Sequence, residues 1–108
     1  RERLIEAVPE KTDRLVSVLR RLASDHADVI CNVRGLGLYQ GFSLRLPAEK
    51  AVLLDVALAS ENLLLLGAGR DSIRLRPSLS VTTQDIDEFG NRLDRVLKRV
   101  RSLRNTPQ

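Results

Sequence analysis

Asp71-Ser72-Ile73-Arg74-Leu75-Arg76-Pro77-Ser78-Leu79 is the stretch on which the reading of this chain turns. Ser72 to Arg76 has the length and apolar content of a short strand, and Pro77, which has no N–H to give a ladder, ends it. A guanidinium on a strand this short and apolar can be held rigidly. Arginine is the side chain best suited to gripping a carboxylate or phosphate with two parallel hydrogen bonds. Arg74 and Arg76 share one parity if the strand is regular. Two arrangements follow: at least one arginine points to a buried anion site, or both lie on a solvent face with Ile73 and Leu75 inward.

Upstream, Leu63 to Leu66 reads as a compact buried strand, and Gly67-Ala68-Gly69-Arg70-Asp71 as the hairpin-like loop that returns it. Further back, Leu38, Gln40, Phe42, Leu44 and Leu46 share one parity, with Tyr39, Ser43 and Arg45 on the other, which predicts a half-buried strand over 38–46. Val29 to Val33 is a shorter β-prone run, and Arg34-Gly35-Leu36-Gly37 reads as a flexible turn. Leu15, Leu19 and Leu22 recur at helical spacing and predict a helix from about Glu10 to Ser24. Leu4 and Val8 continue its stripe, and Pro9 either starts this helix or kinks a longer one. Asp25 to Asp28 ends it. Pro47 suits the first turn of a helix over 48–60, with Asn62 as a left-handed stop. Thr82-Thr83-Gln84-Asp85 opens a last helix in the manner of a capping box. That helix buries Ile86, Phe89, Leu93, Val96, Leu97 and Val100, with acidic residues early and basic ones late, as the dipole prefers.

The predicted fold is therefore α+β: a two-layer sandwich of a small, mostly antiparallel sheet with helices packed on one face. The 108 residues suit one domain, divided as 1–25 connecting helix, 29–81 sheet with one helix, and 82–104 C-terminal helix. A chain that is 43% hydrophobic and 30% charged can fold around a modest core and is not disordered in composition. No apolar run approaches the length of a membrane span. Cys31 is a single cysteine, compatible with a cytoplasmic setting. The chain starts at Arg1 and contains no methionine, so it reads as a piece of a longer polypeptide.

The net charge is +4 and the pI about 10.0, with the excess at Arg92, Arg95, Lys98, Arg99, Arg101 and Arg104. A nucleic-acid surface and a solvated helix face are both open readings of that cluster. Three aromatic residues (Tyr39, Phe42, Phe89) supply a base-stacking platform poorly. Gly35-Leu-Gly37-Leu-Tyr-Gln-Gly41 has the form GxGxxxG, but a dinucleotide site needs a helix at those glycines and here a strand follows. The glycines suit a turn and close backbone approach instead. His26 and Cys31 are too few for a zinc site. One histidine in a polar turn makes a poor base.

Four segments, in order, resemble the C-terminal small domain of the class III aminotransferases, fold type I enzymes that include the ornithine, 4-aminobutyrate and lysine 6-aminotransferases. Val33-Arg34-Gly35-Leu36-Gly37-Leu38, continued by Gly41, resembles the family's V-R-G-x-G-L turn. Leu64-Leu65-Leu66-Gly67-Ala68-Gly69 resembles the segment before its last strand. Ser72 to Leu79 resembles its I-R-F-x-P-P-L strand, and Thr82 to Asp87 the T-x-x-E-I-D start of its final helix. Leu75 stands where phenylalanine is usual, and Ser78 replaces the second proline.

The resemblance implies that Arg74 binds a substrate carboxylate. Arg76 resembles a second arginine of the 4-aminobutyrate and lysine branches, as a possible supporting residue. It further implies pyridoxal 5′-phosphate as cofactor of the whole enzyme, carried by a large domain outside this chain. Lys11, Lys50 and Lys98 match no Schiff-base motif. The implied partners are that domain, a second copy in a homodimer, and amino acid and 2-oxo acid substrates, with no membrane and no nucleic acid. The chain alone would not transaminate. The alternative reading is a small basic nucleic-acid-binding or protein-interaction domain without chemistry.

Overall fold

A computed structural model describes residues 8–36, 39–61, 65–75 and 81–104. Its elements are α1 (Val8–Asp25), β1 (Ile30–Leu36), β2 (Tyr39–Leu44), α2 (Glu49–Glu61), β3 (Leu66–Ala68), β4 (Ser72–Leu75) and α3 (Thr83–Arg104). The sheet runs β1-β2-β4-β3, and each neighbouring pair is antiparallel. The expected α+β architecture, an antiparallel sheet with helices on one side, is the one observed.

The strand parity of β2 and β4 decides which residues enter the core. Phe42 pairs with Ile73, and Gln40 with Leu75, so these four point the same way. Phe42, Leu44, Ile73 and Leu75 are buried there against the helices. From α1 the stripe Leu15, Val18, Leu19 and Leu22 meets them, and from α3 Ile86, Leu93, Val96, Leu97 and Val100. Phe89 is only partly buried at the edge of this cluster. Residues one step out of phase face away from the helices: Ser43 pairs with Ser72, and Gly41 with Arg74.

Pro9 falls in the first turn of the described helix α1, where its missing N–H has no intrahelical partner to lose. At the other end of the chain the capping box forms with both reciprocal bonds. The Asp85 N–H donates to Thr82 Oγ1 at 3.0 Å, and the Thr82 N–H donates to Asp85 Oδ2 at 3.0 Å. These bonds hold the Asp85 carboxyl below its ordinary value.

Several boundaries differ from expectation, and β2 ends at Leu44 where a strand as far as Leu46 was expected. β1 continues through Arg34 and Gly35 to Leu36, where a flexible turn was expected, because its backbone stays paired with β2 as far as Leu36–Tyr39. The register shifts between Cys31 and Arg34, and Asn32 there has φ 54°, which marks a bulge that the residue pattern does not show. β3 begins at Leu66 and runs on through Gly67 and Ala68, so the hairpin turn is shorter than expected and uses Gly69 at φ 64°. Gly67 lies opposite Ile73 and packs beneath Lys50, whose ammonium donates to the Gly69 carbonyl. The positions expected as Asn62, Leu63 and Leu64 lie outside the described residues.

Gly90 sets the distance between α1 and α3. A Cβ at this position would stand 2.6 Å from Val18 Cγ1, closer than carbon atoms approach. Absence of a side chain therefore lets the two helices approach closely at Val18.

The basic end of α3 is tied into the fold. Arg101 grips Asp28 with two bonds, Nε to Oδ2 at 2.9 Å and Nη2 to Oδ1 at 2.7 Å. Arg104 Nε donates to Glu49 Oε2 at 2.9 Å and its Nη1 to Asp28 Oδ2 at 3.3 Å. Arg92 pairs with Glu88 and Lys98 with Asp94 along the helix. His26, in the turn after α1, is buried at 2% exposure rather than lying at a polar surface. Arg101 Nη2 lies 2.9 Å from its Nδ1, and because a guanidinium only donates, that nitrogen accepts. Nε2 then carries the proton and donates to Asp94 Oδ1 at 2.7 Å. The carboxyl of Asp94 is held low by His26 first, with Lys98 adding to it.

Two outcomes follow from these contacts. Gly90→Val costs about 1–3 kcal/mol in urea unfolding, as overpacking does. In a Val18→Ala background the cost shrinks, since the clashing methyl is gone, so additive penalties in the double-mutant cycle would overturn the close-approach explanation. The second concerns acid. The Arg101 guanidinium lowers Asp28 from 3.8 to about 2, so between those values the unfolded chain binds more protons than the folded one. The stabilisation from this pair is complete above the unfolded value and is lost as pH falls toward about 2. Thermal unfolding across this window should decline more steeply for the parent than for Asp28→Asn, and equal slopes would exclude the pair as the cause.

Candidate functional site

The face of the sheet turned away from the helices carries Arg34 on β1, Gly41 and Ser43 on β2, and Ser72 and Arg74 on β4. Arg34 pairs with Gly41, and Gly41 with Arg74, so the two arginines stand in one row across three strands. Two strand spacings separate their backbones, about 10 Å. Between buried Ile73 and Leu75, Arg74 is exposed. Arg74 thus points outward, on the sheet face that the described helices leave uncovered, with Ile73 and Leu75 inward. Arg76 lies outside the described residues.

A cleft of about 410 Å³ opens on this face, lined by Arg34, Gly35, Gln40, Gly41, Ile73 and Arg74. Its floor depends on glycine. A Cβ on Gly41 would stand 2.8 Å from the Ile73 carbonyl oxygen, a backbone atom that cannot swing aside. Gly35 has φ 154°, a backbone that side-chain-bearing residues adopt rarely. Both glycines therefore serve close approach and local backbone shape.

Arg34 reaches diagonally over the strands. Nη1 donates to the Asn32 carbonyl at 2.8 Å and to Ser43 Oγ at 3.0 Å, while Nη2 donates to Ser72 Oγ at 2.8 Å. Ser72 Oγ in turn donates to Asp71 Oδ1 at 3.2 Å. A reading of residues 34–37 as a turn gave Arg34 no place in a site. The signal that could have found it is parity: once β1 is extended through Leu36, Arg34 falls opposite Gly41 and joins the face of Arg74.

An aromatic aldehyde cofactor would need a lysine amine here, and the described lysines are placed elsewhere. Lys11 is buried in α1, Lys50 donates to the Gly69 carbonyl, and Lys98 lies 3.0 Å from Asp94. None of them lines the cleft. Among the described residues, no group of three His, Cys, Asp or Glu side chains is placed to hold a metal ion. No described helix is long and apolar enough to cross a membrane. The cleft is lined by the guanidinium-bearing residues Arg34 and Arg74, a side-chain chemistry suited to oxyanions.

Comparison with known proteins places this arrangement. The family model for class-III aminotransferases matches residues 1–97. The chain is 36% identical over 99 residues to the acetylornithine aminotransferase of Thermosynechococcus vestitus, covering 90% of this chain and 24% of that protein. It is 36% identical over 86 residues to the L-lysine-epsilon aminotransferase of Mycobacterium tuberculosis, covering 80% of this chain and 19% of that one. The solved structure of lysine aminotransferase from M. tuberculosis superposes with a TM-score of 0.84 at 33% identity, over 92% of this chain and 22% of that chain. N-acetylornithine aminotransferase from Stenotrophomonas maltophilia gives the same TM-score of 0.84 at 28% identity, over 95% of this chain and 28% of that chain. The chain thus spans about a fifth to a quarter of the length of the curated relatives it matches. With matching sequence over most of its length and matching topology, this chain belongs to the class-III aminotransferases.

Proposed function

We propose that this chain is the C-terminal, substrate-facing domain of a pyridoxal-phosphate-dependent aminotransferase, and that Arg74 binds the substrate carboxylate. The observation that carries the proposal is the position of Arg74 beside a glycine-floored cleft on the sheet face that no described helix covers. The reaction is transfer of an amino group from an amine or amino acid such as L-lysine to a 2-oxo acid. Similarity to both lysine and acetylornithine aminotransferases supports that substrate class.

The residues do not fit a site for the cofactor, because the described lysines serve the fold and stand away from the cleft. Pyridoxal phosphate supplies an electron sink for carbanion chemistry, and in this proposal the large domain of the longer polypeptide carries it. This chain then contributes binding and orientation. A planar guanidinium takes a carboxylate through two parallel bonds, which fixes the direction of the substrate as well as its affinity. Orientation of that kind lowers the entropic part of the barrier for whatever group reacts. The proposed setting is cytoplasmic, with the complete enzyme a homodimer. Salt links from Arg92, Lys98, Arg101 and Arg104 to the protein's own carboxylates weigh against reading α3 as a nucleic-acid surface.

In the complete polypeptide, Arg74→Lys keeps the charge but loses the fork. Loss of a charge-assisted bond costs about 1.5–3 kcal/mol, so KM for the 2-oxo acid should rise about 10- to 100-fold. Steady-state kinetics showing an unchanged KM would remove Arg74 from the carboxylate site. Borohydride trapping followed by peptide mapping should place the phosphopyridoxyl group on a lysine other than Lys11, Lys50 and Lys98. An adduct on any of those three would contradict the division of labour proposed between the domains.

A further inference from the structure

The carboxylate reading gives Arg34 no part, yet its side chain is built into the same cleft. Every bond described for its guanidinium ends on an uncharged oxygen: the Asn32 carbonyl and the hydroxyls of Ser43 and Ser72. Arg101 and Arg104 behave differently, since their forks close on the carboxylates of Asp28 and Glu49. Hydroxyls and a carbonyl hold a guanidinium in place without cancelling its charge. Those bonds use Nη1 and one edge of Nη2, so among the described residues part of the fork is left to meet a ligand.

Fixing an exposed arginine across two strands costs about 2 kcal/mol of side-chain entropy, which its three charge-assisted bonds to uncharged oxygens offset while the charge itself meets no carboxylate among the described residues. An oxyanion in the cleft would supply the negative charge that the described partners of Arg34 do not. Gly41, lying between the two arginines in the pairing, keeps the intervening surface low enough for such a ligand to sit against the strand.

We infer that Arg34 is a second oxyanion-binding residue of the Arg74 cleft, pre-positioned by the hydroxyls of Ser43 and Ser72. The ligand is the carboxylate end of the substrate, so the inference rests on the aminotransferase reading above. Arg34 adds charge and direction to the grip, and Ser43 and Ser72 act through it as positioning residues.

The test uses the complete polypeptide with its cofactor bound. Arg34→Gln should raise KM for the 2-oxo acid about tenfold, the size of one charge-assisted hydrogen bond, with kcat changed less than about threefold. Arg34→Lys should recover part of that loss. The KM of the parent should climb with ionic strength as salt screens the site, and the climb should be shallower in Arg34→Gln, which a purely structural role would not produce. A KM within about twofold of the parent, or an unaltered salt dependence, overturns the inference. Should Arg34→Gln fail to fold, the double variant Ser43→Ala/Ser72→Ala keeps the charge and releases the fork. A severalfold rise in its KM supports the inference, and an unchanged KM overturns it. Arg74→Gln separates the two levels of the argument. If KM ignores both arginines, the carboxylate reading of the cleft fails. If KM responds to Arg74 alone, only the role of Arg34 fails.

Discussion

One-sided burial of the sheet is the constraint from which the rest follows. Side chains alternate along a strand, and the pairing of Phe42 with Ile73 commits one parity of β2 and β4 to the helices. A slip of one residue would drive Arg74 into the core and turn Ile73 out, at a cost the fold could not absorb. The outward position of Arg74 is therefore a consequence of core packing. The same pairing puts Gly41, Ser43 and Ser72 on the outer face, where they form the floor of the cleft and the hydroxyls that hold Arg34.

Charge is distributed in two ways that serve different ends. At the end of α3, Arg101 and Arg104 meet carboxylates from the α1–β1 turn and from α2, and His26 is buried between Asp94 and Arg101. That network ties the end of α3 to the α1–β1 turn and to α2. Its members are partly exposed, so its value lies in geometry and in several contacts together rather than in any single pair. On the sheet, by contrast, arginines are presented over a cleft. The first arrangement meets positive charge with the fold's own carboxylates, and the second holds Arg34 with uncharged oxygens.

A glycine at each critical approach links packing to the site. Gly90 brings α1 and α3 together, which sets the layer that buries Phe42 and Ile73 from below. Gly41 brings β2 against the Ile73 carbonyl on the opposite side of the same layer. The class-III aminotransferase fold thus presents its arginines on a sheet whose two faces are both shaped by missing side chains. The chain spans about a fifth to a quarter of the length of the curated relatives it matches.

Sequence alone determined the elements that rest on local periodicity and capping. The leucine stripe of α1, the reciprocal box at Thr82 and Asp85, the strand alternation around Phe42 and the short strand bearing Arg74 are all set by neighbours within a few residues. Their motifs in order were enough to suggest the family. What tertiary structure alone decided depends on partners far along the chain. β1 extends through Arg34 only because β2 pairs with it, and Gly67 and Ala68 are strand only because β4 lies beside them. Gly90 matters because Val18 faces it, and His26 is buried because Asp94 and Arg101 enclose it. Whether Arg74 faced inward or outward, and whether Arg34 stood near it at all, was fixed by sheet register. Register is a long-range pairing governed by which face the helices bury, and no local pattern of residues carries that information.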